Sequence, residues 1–382
     1  MNVGILVPGS KAHPELMPDF MNAFKSCLRV NHCDTSIQII SEYIGYGGKE
    51  KEVYERAEKL LLIDEVDVLI GYLDFRVLPI LQPLLYTTGK LMIVVNSGAN
   101  HPENWVAPDN VIYLTLQHSF LCWLGGQSAI ERGASQAVMA SSFYDCGYFH
   151  TATMVRSFTD RGGSIAFNYI NNQAHSKEFD IHSLTEFLSA NNEVQDIFCV
   201  FDTFPAQLFY GQLNSYKGAS KLHLFVSPMM LECDALSISN QKYQFAIEGY
   251  SPWLPANDNP INLAFTSNYN QQFGKDPSVF SLQGWETALI LLKVLHLKPA
   301  GLEGSHICSC LENDPIAGPR GALVLDRETH FYLAPVYKLL INPMESTPRF
   351  TYTDFPRGLW EDYYKQVYEG VSSGWTNTYL CY

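Results

Sequence analysis

Two stretches of this chain open in the same way. Val3-Gly4-Ile5-Leu6-Val7 and Gln136-Ala137-Val138-Met139-Ala140 are short apolar runs, each followed by a helix-like stretch and another apolar run. A strand-then-helix order with short connections leaves little choice but a parallel sheet covered on both faces. The first half reads as strands at 2–7, 36–44, 66–70, 90–95 and 111–114. Leu16, Phe20, Ala23, Phe24 and Leu28 recur at helical spacing between the first two strands. A charged helix over 49–62 and a proline-bent one over 75–86 complete this set. The pattern then restarts, with helices at 118–132, 148–161, 181–190 and 204–216 and strands at 136–142, 164–169, 195–201 and 222–226.

Further along, 245–250 reads as a strand, 259–273 and 279–296 as helices, and 318–325 with 332–341 as a final pair of strands. The last forty residues are aromatic, with Phe350, Tyr352, Phe355, Trp360, Tyr363, Tyr364 and Tyr368, and show no sheet pattern. At 382 residues the chain exceeds the size at which one core keeps growing, so two domains are expected. It is 47% hydrophobic and only 17% charged, which excludes long disordered stretches. The net charge of −14 argues against nucleic acid and against anionic membrane surfaces. No apolar run is long enough to span a membrane.

Nine cysteines at irregular spacing fit a reducing compartment better than an oxidising one. No basic start followed by an apolar core and a cleavage site precedes the first strand. The expectation is a cytoplasmic chain as written; the alternative is a periplasmic one whose leader has been removed.

The order of elements and several local motifs resemble the type I periplasmic binding proteins, in the branch of the leucine/isoleucine/valine-binding proteins. The motifs are Val3 to Pro8, Val66-Asp67-Val68-Leu69-Ile70-Gly71, Asn96-Ser97-Gly98-Ala99, and Phe143-Tyr144-Asp145-Cys146-Gly147. Later ones are Glu248-Gly249, Phe273 to Ser278, Gly284-Trp285-Glu286-Thr287-Ala288, and Gly318-Pro319-Arg320-Gly321 with Asp326 to His330. Length and the missing leader look most like the cytoplasmic amide-sensing regulators of that family.

The resemblance implies an α/β fold of two doubly wound parallel-sheet lobes joined by a three-segment hinge, closing on a small ligand. Lobe 1 is expected over 1–117 plus 249–330, lobe 2 over 118–248 plus 331–342, and a C-terminal extension over 343–382. Implied partners are a small molecule and either an ABC permease or a regulatory protein, with the tail a candidate homodimer surface.

In open α/β sheets ligands sit beyond the carboxyl ends of the strands. The loops there supply the candidate ligand-binding residues: Tyr72, Phe75, Asn96, Ser97, Gly98, Trp105, Tyr144, Cys146, Tyr148, Asp202, Phe204 and Met229. Ser97 offers a small hydroxyl and Gly98 a close backbone approach. Amino-acid binders of the family place an acid in lobe 2 to meet the ligand amine. This chain has Ser227-Pro228-Met229-Met230 there, and Asp202 is the nearest tip carboxylate. A plain α-amino acid is therefore disfavoured against a small, partly apolar or aromatic carboxylate, amide or amino-acid-like ligand.

No dinucleotide fingerprint, Walker loop or G-x-S-x-G elbow occurs. His306-Ile307-Cys308-Ser309-Cys310 lacks the second ligand pair that zinc requires. Catalytic residues, metal and cofactor are each expected to be none. An α/β enzyme acting in the inter-lobe cleft is the competing reading from another class.

Overall fold

The computed structural model describes residues 1–101, 108–143, 149–171, 179–232, 236, 242–297, 303–345, 349–353, 357–368 and 379. The chain divides into two compact units. The first comprises Met1–Leu116, Trp253–Pro335 and Thr376–Tyr382, the second Gln117–Pro252 and Val336–Trp375.

The first unit is built on β1 (Asn2–Val7), β2 (Gln38–Tyr43), β3 (Val68–Tyr72), β4 (Leu91–Asn96) and β5 (Val111–Thr115). They lie in the order β2-β1-β3-β4-β5, and every pair is parallel. All residues of β3, β4 and β5 are buried, as a sheet covered on both faces requires. The early helices are α1 (Leu16–Val30), α2 (Glu50–Glu58) and α3 (Leu78–Thr88). Helices α8 (Pro260–Phe273), α9 (Val279–Leu297) and α10 (Gly304–Leu311) come from the later segment.

Helix α9 packs on α1 at a glycine. A Cβ on Gly284 would lie 2.1 Å from the Phe20 carbonyl oxygen, so only glycine permits this approach. Tyr379 from the aromatic tail is buried here too, edge-on to His13 and Phe280, and its carbonyl accepts from Ser10 Oγ at 2.6 Å.

The segment expected as a final strand pair is more divided. Strands β11 (Ile316–Gly318) and β12 (Gly321–Leu325) form a hairpin around Pro319-Arg320, and β13 (Tyr332–Leu333) completes a three-stranded sheet in the first unit. Strand β14 (Val336–Ile341) belongs to the second unit. Arg320 is fully buried and forks onto the equally buried Glu286 of α9, with Nη2 to Oε2 at 2.7 Å and Nε to Oε2 at 3.0 Å. Its Nη1 donates to the Thr115 carbonyl at the end of β5.

The second unit carries β6 (Gln136–Ser142), β7 (Ser164–Asn171), β8 (Asp196–Val200), β9 (His223–Val226) and β10 (Ala246–Ser251), all parallel. The full order is β15-β14-β10-β9-β8-β6-β7, where β14 and β15 (Arg349–Thr353) run antiparallel. The tail therefore contributes a strand where the sequence showed no sheet pattern. All five residues of β15 are exposed, so no apolar face marks it as a strand.

Helices α4 (His118–Glu131), α5 (Phe149–Thr159), α6 (His182–Ala190), α7 (Thr203–Asn214) and α11 (Arg357–Tyr368) surround this sheet. Helix α4 is apolar on every side and buried accordingly; Phe120 and Trp123 meet Tyr363 of α11 edge-on. Cys122, Met139, Met154, Phe158, Phe198 and Phe225 form the core beneath it.

A charged cluster lies on the same sheet. Glu248 of β10 is held by His223 Nε2 at 3.0 Å and ion-pairs with Lys338 Nζ at 2.7 Å. Lys338 also donates to Ser128 Oγ of α4, which is 2.8 Å from the Tyr250 hydroxyl.

Candidate functional site

The carboxyl ends of β3 and β4 are adjacent in the first unit and carry five of the candidate residues. Asn96 ends β4, and its side chain shapes the turn: Nδ2 donates to the Leu73 carbonyl at 3.0 Å and Oδ1 accepts from Gly98 N at 2.8 Å. Gly98 has φ +73°, a conformation that costs glycine little. Ser97 is held between them and is buried.

Tyr72 is fully buried, edge-on to Phe20, with its hydroxyl on Gln283 Oε1 at 3.2 Å. Gln283 in turn donates to the Asn96 carbonyl at 2.7 Å. Phe75 packs edge-on to Tyr113 and against Phe331. Tyr72 and Phe75 thus support the loops from below, and Asn96, Ser97 and Gly98 form the loop itself.

Sequence reasoning did not single out Asp74, which joins these two loops. Its Oδ1 accepts from Arg76 N at 3.0 Å and its Oδ2 from Asn100 Nδ2 at 2.9 Å. Burial pushes its carboxyl up to about 6, against the pull of those two donors and of the Arg76 charge. The available signal was a lone acid directly after the buried run Val68 to Leu73.

In the second unit the tips of β8 and β9 are neighbours. Asp202 caps α7, its Oδ1 accepting from Thr203 N at 2.7 Å and Thr203 Oγ1 at 3.3 Å. Phe204, in the first turn of α7, is half exposed. Met229 follows β9 and is fully buried. Trp105, Tyr144, Cys146 and Tyr148 lie outside the described residues.

Three further polar residues of this end were missed. His118 begins α4 and His150 is the second residue of α5. Both are wholly buried, with ring centroids 5.6 Å apart. Ser227 directly follows β9, is wholly buried, and its hydroxyl has no hydrogen-bond partner. The signal for the histidines was polarity at the start of otherwise apolar helices.

Among the described residues, no three His, Cys, Asp or Glu side chains are grouped to hold a metal ion. In the run 306–310, Cys308 is buried and Cys310 exposed on α10. No helix is long and apolar enough to cross a membrane, among the residues described.

Comparison with known proteins gives a consistent result. The sequence profile of a periplasmic binding protein family matches residues 33–342. No curated protein sequence matches the chain.

Solved structures match its fold. The ABC transporter substrate-binding protein from Sphaerobacter thermophilus has a TM-score of 0.75 at 14% identity, covering 93% of this chain and 96% of that one. A solute-binding protein from Rhodopseudomonas palustris BisB5, solved with 3,4-dihydroxybenzoic acid, has a TM-score of 0.70 at 16% identity, over 93% and 97%. A putative branched-chain amino acid ABC transporter protein from Rhodospirillum rubrum has 0.71 at 16%, over 92% and 99%.

Proposed function

Because the chain belongs to the periplasmic binding protein family, we propose that it captures a small, partly apolar or aromatic carboxylate, amide or amino-acid-like ligand by hinge closure. The observation that carries this reading is the make-up of the strand tips. In each unit the carboxyl ends of a parallel sheet carry buried polar groups: Asp74, Asn96 and Ser97 in one, His118, His150, Asp202 and Ser227 in the other. Ligands of open α/β sheets bind at such ends. The benzoate-type and branched-chain amino acid names attached to structures of the same fold support this ligand class. The role is binding without turnover, and the partner of the loaded form is an ABC permease.

The test is a thermal-shift and calorimetry panel of benzoate, 4-hydroxybenzoate, benzamide and leucine. A ligand at a hundredfold excess over its Kd stabilises by about 2.7 kcal/mol, a readily measured rise in Tm. If no member shifts Tm, the reading fails. If a member is converted to product on incubation, binding without turnover fails.

A second reading is a ligand-sensing regulator in a reducing compartment. It is supported by the described cysteines, which are all free thiols, four of them buried. Fractionation of cells producing the native gene separates the two: export would refute the sensor.

A further inference from the structure

The polar end of the second unit holds more donors than acceptors. Its helices α4, α5 and α7 each begin next to a strand tip, and the free N–H groups of a first turn favour negative charge. His118 and His150 occupy the first turns of α4 and α5 with no exposure at all. Burial holds both imidazoles neutral. That of His118 lies well below its usual range, lowered further by His150, and that of His150 is pushed down to about 3 despite the opposing charge of Asp202. Each neutral ring still carries one N–H donor.

The acceptors are spoken for. The carboxylate of Asp202 caps α7 through Thr203. Met229 and Met230 are buried thioethers, weak acceptors at best. The Ser227 hydroxyl is wholly buried without a partner, a costly state for a polar group that a ligand oxygen would relieve. A ligand ammonium would find no free carboxylate among these described groups, whereas a ligand carboxylate would find several donors.

We propose that His118 and His150 are the specificity-determining residues of the second unit, selecting a ligand that carries a carboxylate over its amide and amine counterparts. The proposal rests on the solute-binding reading above and names the charge that reading leaves open.

The experiment compares two matched series by calorimetry on the full chain: benzoate, benzamide and benzylamine, and 4-methylpentanoate, 4-methylpentanamide and 3-methylbutylamine. Each is also measured on His118→Gln and His150→Gln. The expected result is a wild-type order of carboxylate over amide over amine in whichever series binds. Each variant should weaken the carboxylate at least tenfold and the amide less than twofold.

A wild-type preference for the amide or amine overturns the proposal and leaves solute binding standing. So does equal weakening of carboxylate and amide in the variants, which marks a structural role only. If one variant does not fold, the other variant and the wild-type order decide. No binding in either series removes the solute-binding reading itself, and the proposal with it.

Discussion

Replacing Glu248 by glutamine should cost the second unit about 3 kcal/mol at neutral pH and flatten its acid denaturation. Burial alone would push this carboxyl up. The hydrogen bond from His223 and the ion pair with Lys338 outweigh it and hold the group at about 2, against an ordinary value of 4.5. That difference of roughly 2.5 pH units corresponds to about 3 kcal/mol. The sign follows from proton counting. Between pH 4.5 and 2 the unfolded chain binds the proton and the folded one does not, so stability rises with pH. The contribution is therefore complete above about pH 5, and about 2 kcal/mol of it is gone by pH 3.

The charges facing Glu248 come from β9, β14 and β8: His223, Lys338 and Asp196. Lys338→Met should reproduce much of the loss, because it leaves a buried carboxylate half compensated. Hydrogen exchange of the β9 and β10 amides, read by mass spectrometry from pH 7 to pH 5, reports on this unit alone. Urea denaturation extends the series to pH 3. A Glu248→Gln protein that loses under about 1 kcal/mol at pH 7, or keeps the wild-type slope between pH 5 and 3, would refute the reasoning.

Arg320→Met strands the buried Glu286 and should cost the first unit roughly 3–5 kcal/mol, while Arg320→Met with Glu286→Leu should recover most of it; a double variant no better than the single removes the ion-pair argument. Gly284→Ala places a methyl against the Phe20 carbonyl and should destabilise by about 1–3 kcal/mol or more, seen as a lowered urea midpoint; an unchanged midpoint would mean α1 and α9 separate freely. Ser97→Ala should weaken binding of whichever panel ligand is found while changing stability by no more than about 0.5 kcal/mol; unchanged affinity removes Ser97 from the site.

Much of the architecture was legible because parallel strands buried on both faces read as short apolar runs. Val68 to Tyr72 and Leu91 to Val95 are plain examples, and α1 declared itself by its spacing. The motif pieces Gly284 to Ala288 and Gly318 to Gly321 were visible as well. What they share was not: a hairpin arginine reaches a helix glutamate 34 residues away, a relation that no local pattern contains. Strand β15 was hidden because every side chain on it is exposed.

At the site, loop positions such as Asn96 to Gly98 could be read from where strands end. The support beneath them could not, since Tyr72 looks like a pocket wall until Gln283 is seen holding its hydroxyl. His118 and His150 were missed for a related reason. They begin separate helices, and only the fold places their rings side by side.

The division of the first unit into distant segments sets an order of assembly on the ribosome. Its five-stranded sheet is complete once residue 115 has been made, but the face of α1 that receives Gly284 waits for some 170 further residues of synthesis. The intervening chain is the greater part of the second unit. A nascent first unit therefore carries an uncovered apolar helix while its neighbour is being translated, and closes only when α9 and then Arg320 emerge. Slow translation through 117–252 would prolong that exposure, which makes this interval the natural point for chaperone engagement.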